Sequence, residues 1–214
     1  MPSGAGSGGR WVEVDPSRLE RWLAGFAERH GSIAVNAGDS QLTVAAYDGS
    51  VAELHPPPGA PAGQDIASFV ALISLPRRIG VLLARLGGFA VGIADGDELT
   101  ASKVDSRYVQ GRTAAGGWSQ RRFARRRENQ AKAAAGAAAD VAAELLLPEV
   151  DHLSAIVAGG DRRAVAAVLS DRRLGPVAAK LSERFLDVPE PRLVVLRDAV
   201  RQARVVRIRL TDPE

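Results

Sequence analysis

Three strand candidates, RIGVLLARL from Arg78, FAVGIAD from Phe89 and ELTASKVDSRYV from Glu98, follow one another with almost no chain between them. The connections, Gly87-Gly88 and the DGDE at residues 95–98, are too short for a crossover. The runs can therefore pair only as hairpins in an antiparallel meander. Beyond the meander the period changes. The chain reads as one long helix from about Ser119 to Leu147, ended by Pro148, and then as SAIVAG, a buried strand. DRRAVAAVLSD and PVAAKLSERF read as helices, with a short strand near FLDV, before a helical PRLVVLRDAVRQA. A closing strand, RVVRIRL, alternates Val206, Ile208 and Leu210 with Arg207 and Arg209. A meander followed by alternating helices and strands predicts an α/β fold, a ribonuclease-H-like mixed sheet with helices on both faces.

The residues ahead of the meander have a different texture. RWVEV alternates like a short strand, and DPSRLERWLAGFAERHG carries a complete helix signature. Asp15 stands at the N-cap, Pro16 in the first turn, Leu19, Trp22, Leu23 and Phe26 on one face, and Gly31 past the end. SIAVNAGDSQLTVAAYDGSVAELH reads as short strands separated by Gly-Asp and Asp-Gly turns, and PPPGAPAG cannot be regular structure. These signals predict a disordered leader over residues 1–9 and a small N-terminal α+β layer over 10–63. A second domain is then predicted over 64–214, opening with DIASFVALISL as a helix.

Composition removes several kinds of chemistry. With no cysteine, disulfides, thiolate zinc sites and cysteine nucleophiles are excluded, which fits a reducing, cytoplasmic setting. His30, His55 and His152 are far apart and form no ligand spacing, so neither a metal nor another cofactor is expected. No run approaches the roughly 20 apolar residues of a membrane span, so no membrane partner is expected. The nuclease chemistry of a ribonuclease-H-like sheet is not expected either. Its two cations need carboxylates converging from the first strand, and RIGVLLARL has none. Asp95, Asp97 and Glu98 fall in a hairpin turn, where acidic residues are ordinary turn formers.

The charge is concentrated. From Lys103 to Lys132 nine Lys/Arg face only Asp105 and Glu128, a local +7 in a chain whose total is +3, so the remainder carries −4. Such asymmetry marks a polyanion partner. Within that stretch, Gly111, Gly116 and Gly117, with Thr113, Ala114 and Ala115, make an arm of small side chains, and Ser119 can cap the helix that follows. Arg121, Arg122, Arg125 and Arg126 form two i, i+4 pairs, extended by Arg127 and Lys132. Like charges in the first turns of a helix repel each other and oppose its dipole, a cost that RNA phosphates would relieve. Phe123, Ala134, Ala138, Val141 and Leu145 are expected to dock the helix on the sheet. The plain alternatives are a linker without a role and an over-basic solvated helix.

The stretch RTAAGGWSQRRFARRR, a Gly-Gly loop carrying a glutamine directly ahead of an arginine-rich helix, resembles the catalytic domain of class-one translation release factors of eukaryotes and archaea. More closely it is similar to the Vms-like release factor (VLRF) branch, including its actinobacterial members, over roughly residues 65–214. The resemblance implies a peptidyl-tRNA hydrolase that acts with the ribosome, on its large subunit, and cuts the link between nascent chain and tRNA. Some members instead cut the tRNA near its 3′ end. It implies catalytic roles for Gln120, Gly116 and Gly117, and RNA contacts for Arg112, Trp118, Ser119, Arg121, Arg122, Arg125 and Arg126. Trp118 and Ser119 stand between the glycines and Gln120, where release factors have the glutamine directly after the pair. A tRNA 3′-end endonuclease and a non-catalytic ribosome-binding adaptor remain the rival readings.

Overall fold

In the computed structural model, residues 9–85, 88–106 and 119–213 are described, without the side chains of residues 106 and 119–128. The chain divides into two compact units, one running to Leu75 and resuming at Arg204, the other spanning Pro76–Ala203.

The first unit opens with β1 (Arg10–Val14). Asp15 then accepts the Ser17 N–H at 2.9 Å and caps a short 3-10 turn, Pro16–Arg18, that runs into α1 (Leu19–His30). Gly31, at φ 88°, ends the helix in a backbone region open to glycine. β2 (Ile33–Ala37), β3 (Leu42–Ala46) and β4 (Val51–His55) follow as a meander. α2 (Ile66–Ser74) begins in a reciprocal capping box, Ser68 N–H donating to Asp65 at 2.7 Å while Asp65 N–H donates to Ser68 Oγ at 3.1 Å.

The second unit contains β5 (Arg78–Arg85), β6 (Gly88–Asp95) and β7 (Glu98–Ser106), the predicted meander, then α3 (Ser119–Leu146) and β8 (Ala155–Gly160). α4 (Arg162–Leu169), α5 (Gly175–Ala179), β9 (Leu181–Leu186) and α6 (Leu193–Arg204) complete it, and β10 (Val206–Thr211) is the last strand. The strand order is β7-β6-β5-β8-β9, with β5 antiparallel to β6 but parallel to β8. This is the expected mixed sheet with helices on both faces. Leu82, Ala84, Phe89, Val91, Ile93, Ile156 and Ala158 point to one face, against Ala138, Ala139, Ala142 and Leu146 of α3 and Val165 and Val168 of α4. The alternate residues Ile79, Val81, Leu83, Ala90, Ala94 and Val157 point to the other, against Leu196, Ala199, Val200 and Ala203 of α6.

Three local expectations change. β10 does not join this sheet. It lies between β1 and β4, antiparallel to both, in a first sheet of order β1-β10-β4-β3-β2. Its Val206, Ile208 and Leu210 enter a core with Leu19, Leu23 and Phe26 of α1. α2, predicted to open the second domain, packs Phe69 and Ile73 into that same first core. The helix predicted over PVAAKLSERF is only the five residues of α5, because Leu181–Leu186 is taken by parallel pairing with β8. There Arg184 is buried and donates to the Ala203 carbonyl at 3.1 Å.

Candidate functional site

The register decides at which edge of the sheet β7 ends. β7 is antiparallel to β6, as is β5, so β7 runs in the direction of the parallel strands. Ser106 pairs with Gly88, Gly88 with Arg85, Ala84 with Gly160 and Gly159 with Leu186. The C-terminal ends of β5, β7, β8 and β9 therefore share one edge. Sequential strands step one way from β5 and then jump back across it to β8, the kind of reversal beside which open α/β sheets bind ligands. At that edge Gly160 has φ 99°, and a Cβ there would lie 2.4 Å from the Ala84 carbonyl oxygen. The tight junction lets Asp161 N–H donate to the same oxygen at 2.8 Å while its carboxylate caps α4 through the Ala164 N–H at 2.8 Å. Arg162, exposed at the start of α4, lays its guanidinium over the Phe185 ring at 4.2 Å.

α3 is held by its C-terminal half. Leu146 packs at Gly80, where an added Cβ would lie 3.1 Å from Leu146 and 2.6 Å from Ile156. Ala138, Ala139 and Ala142 are buried on the same stripe, and their small side chains bring the helix axis close to the sheet. Lys103 of β7 pairs with Glu144. Arg173 bridges Asp140 and Asp171, at 2.7 Å to each. Its side chain and then its backbone N–H bond to Asp171, and together they hold that carboxyl down at about 2. The docked stripe overlaps the predicted one: Ala138 is buried in it and Val141 and Leu145 pack against it partly buried, as does Ala135, but its centre is completed by Ala139, Ala142 and Leu146, and Ala134 is not part of it. Phe123 lies outside the described side chains.

The N-terminal half has no comparable attachment among the described residues. Asn129, Gln130, Lys132 and Ala133 are exposed. At 28 residues α3 is about 42 Å long, twice the roughly 20 Å of a six-residue strand such as β8. With Leu146 seated at Gly80, near the opposite edge, the helix start is carried past the edge at which β7 ends.

The predicted site residues fall at that start. Ser119, Gln120, Arg121, Arg122, Arg125 and Arg126 occupy the first turns of α3, their side chains outside the described set. Arg112, Gly116, Gly117 and Trp118 lie outside the described residues altogether. Asp95 sits at the far end of the sheet, where Arg78 pairs with it at 3.7 Å and with Glu149 at 3.1 Å. Among the described residues no three His, Asp or Glu side chains are gathered as metal ligands would be. The residues that the sequence did not single out are the anchors of α3: Gly80, Lys103, Asp140 and Arg173. Only Asp171, placed to cap a 3-10 turn two residues before Arg173, left a legible signal.

Residues 77–209 match the actinobacteria/chloroflexi VLRF1 release factor family, well over half of the chain. The chain belongs to this family. The VLRF1 match covers the whole second unit but for its first residue, and continues into β10. Among solved structures, the archaeal translation termination factor aRF1 aligns at 14% identity with a TM-score of 0.45, over 90% of this chain and 63% of that one. An archaeal protein aligns at 15% identity and 0.40, over 74% and 50%. The VLRF1 chain thus spans less than two thirds of the length of either. No match is found among curated proteins. Among the described residues no helix is long and apolar enough to cross a membrane.

Proposed function

We propose that this VLRF1 family member is a peptidyl-tRNA hydrolase of release-factor type, freeing nascent chains from tRNA on stalled ribosomes or large ribosomal subunits. The observation that carries the reading is the placement of Gln120 at the start of a long helix whose attachments, among the described residues, lie in its far half, next in sequence to a glycine-rich segment and four arginines. Membership of a release factor family supports this reaction class, and a long helix with a basic start suits a group that must be delivered into a confined RNA cavity.

In the reaction a water oxygen attacks the ester carbonyl that joins the peptide to the terminal ribose. The ester C–O bond breaks, the peptide leaves as a carboxylate and the ribose regains its hydroxyl. A neutral amide is no general base. The Gln120 side chain acts by position: its oxygen accepts from the attacking water and its NH₂ donates to oxygen atoms that gain charge in the transition state. The RNA supplies proton relays. Arg112, Arg121, Arg122, Arg125 and Arg126 neutralise phosphates, and Trp118 stacks on a base of the acceptor end, a contact of about 1–3 kcal/mol. The first strand, β5, carries no carboxylate, which agrees with ester hydrolysis that needs no protein-bound metal.

Gln120→Ala is expected to bind peptidyl-tRNA and large subunits as the parent does and to lose about 100-fold or more in peptide release. Gln130→Ala, on an exposed position of α3, and Gln110→Ala should be near silent. The readout is release of labelled peptide together with the length of the RNA product. Release at the parental rate by Gln120→Ala would remove Gln120 from the reaction, a parent that releases no peptide would leave an adaptor role as the better account, and shortened tRNA would identify a 3′-end nuclease.

A further inference from the structure

Gly136 interrupts the run AAAGAAAD in the middle of α3. A glycine inside a helix is less favourable than alanine by about 1 kcal/mol, and usually it is there because a neighbour leaves no room for a Cβ. Here among the described residues nothing lies within 4 Å of where that Cβ would be, and the position is exposed. Its φ is not in the left-handed region, so the backbone does not require glycine either.

Its position along the helix is more telling. The attachments described above, Ala138, Ala139, Asp140 with Arg173, Ala142, Glu144 with Lys103 and Leu146, all follow Gly136. Before it, among the described side chains, only Ala135 packs against the core, and from Asn129 to Ala134 the helix is exposed or half-exposed. Gly136 therefore stands at the boundary between the anchored half and the half that carries Gln120. Sixteen residues separate the two, roughly 24 Å along the axis, so a bend of about 15° at Gly136 moves the helix start by roughly 6 Å.

We infer that Gly136 is a positioning residue: a bending point in α3 through which the Gln120 end adjusts to its target while the C-terminal half stays fixed to the sheet. The inference rests on the proposed hydrolase reading, in which Gln120 must meet the ester within a few tenths of an ångström. Two properties follow. Stiffening this one position should raise helix stability and lower turnover together, and restoring a glycine one turn away should reverse both.

Full-length parent, Gly136→Ala and the double variant Ala133→Gly/Gly136→Ala are compared by hydrogen exchange and by peptide release from peptidyl-tRNA on large subunits. In Gly136→Ala, exchange of amides over residues 120–135 is expected to slow about five-fold while 138–146 keep the parental rate. Binding should be retained and kcat should fall about ten-fold, with KM little changed. The double variant should recover both exchange and kcat. An unchanged kcat beside slowed exchange overturns the inference. So does a double variant that recovers exchange but not kcat, since that pattern means a partner's backbone approaches position 136 and needs the missing side chain. A parent that releases no peptide defeats the hydrolase reading itself, and the catalytic role of Gly136 with it. The exchange comparison then still decides whether the bending point exists.

Discussion

Asp171 illustrates how much one carboxylate can be asked to do. It caps a 3-10 turn through the Arg173 N–H at 2.9 Å and holds the guanidinium that also reaches Asp140 on α3. Its carboxyl is lowered from 3.8 to about 2, chiefly by the Arg173 side chain. A depressed folded-state value means that the ionised form stabilises the fold. The contribution is complete above the ordinary value of 3.8 and fades as pH falls towards 2. Asp171→Asn should therefore melt below the parent near neutral pH, and the gap in Tm should close as pH falls from about 5 to 2. Melting curves at low salt check this, and a gap independent of pH would mean that the ionised carboxylate is not its source.

At the scale of elements, α3 shows where sequence patterning loses resolution. Its length was legible from Ser119 and Pro148, but its docked stripe only in part, through Ala138, Val141 and Leu145. In a run of alanines every face has nearly the same hydrophobicity, so the choice among faces falls to shape. Gly80 leaves a recess that Leu146 fills, and that contact sets the rotation of the whole helix. The basic start is a different matter, because its charges oppose the helix dipole and one another whatever the rotation. Replacing Arg121, Arg122, Arg125 and Arg126 together by glutamine should leave the melting temperature unchanged or slightly raised. It should weaken RNA binding and reduce the slope of log affinity against log salt by up to about three. Titrations at several salt concentrations measure this. An unchanged slope would mean that these arginines touch no phosphate.

For the whole molecule the consequential finding is that the chain returns to its beginning. β1 pairs only with β10 among the described strands, so the first sheet is closed by a strand from the other end of the sequence. Removing residues 204–214 should leave β1 without a partner, expose Leu19, Leu23 and Phe26, and unfold the first unit. The second unit, whose five strands are all internal to Pro76–Ala203, should keep its protection. Hydrogen exchange followed by peptide should show the loss confined to residues 10–75. A uniform loss would mean that the two units fold as one cooperative block.

The sequence by itself determined the elements that rest on local chemistry: the Asp15 and Pro16 helix start, the Gly31 stop, the 78–106 meander and the basic junction at Gln120. These are properties of a few adjacent residues and need no partner to be read. Tertiary structure decided which sheet a strand joins and which residues form it. Leu181–Leu186 carries a helical pattern, yet it became a strand because β8 offers an unpaired parallel edge. β10 reads as a strand in any context, and its destination was set by burial. β5, β6 and β8 are covered on both faces and carry charge only at their ends, whereas β10 alternates apolar residues with Arg207 and Arg209. A strand with one charged face suits the first sheet, where α1 and α2 supply the core on one side only; in the second sheet, Arg207 and Arg209 would lose their water beneath a helix.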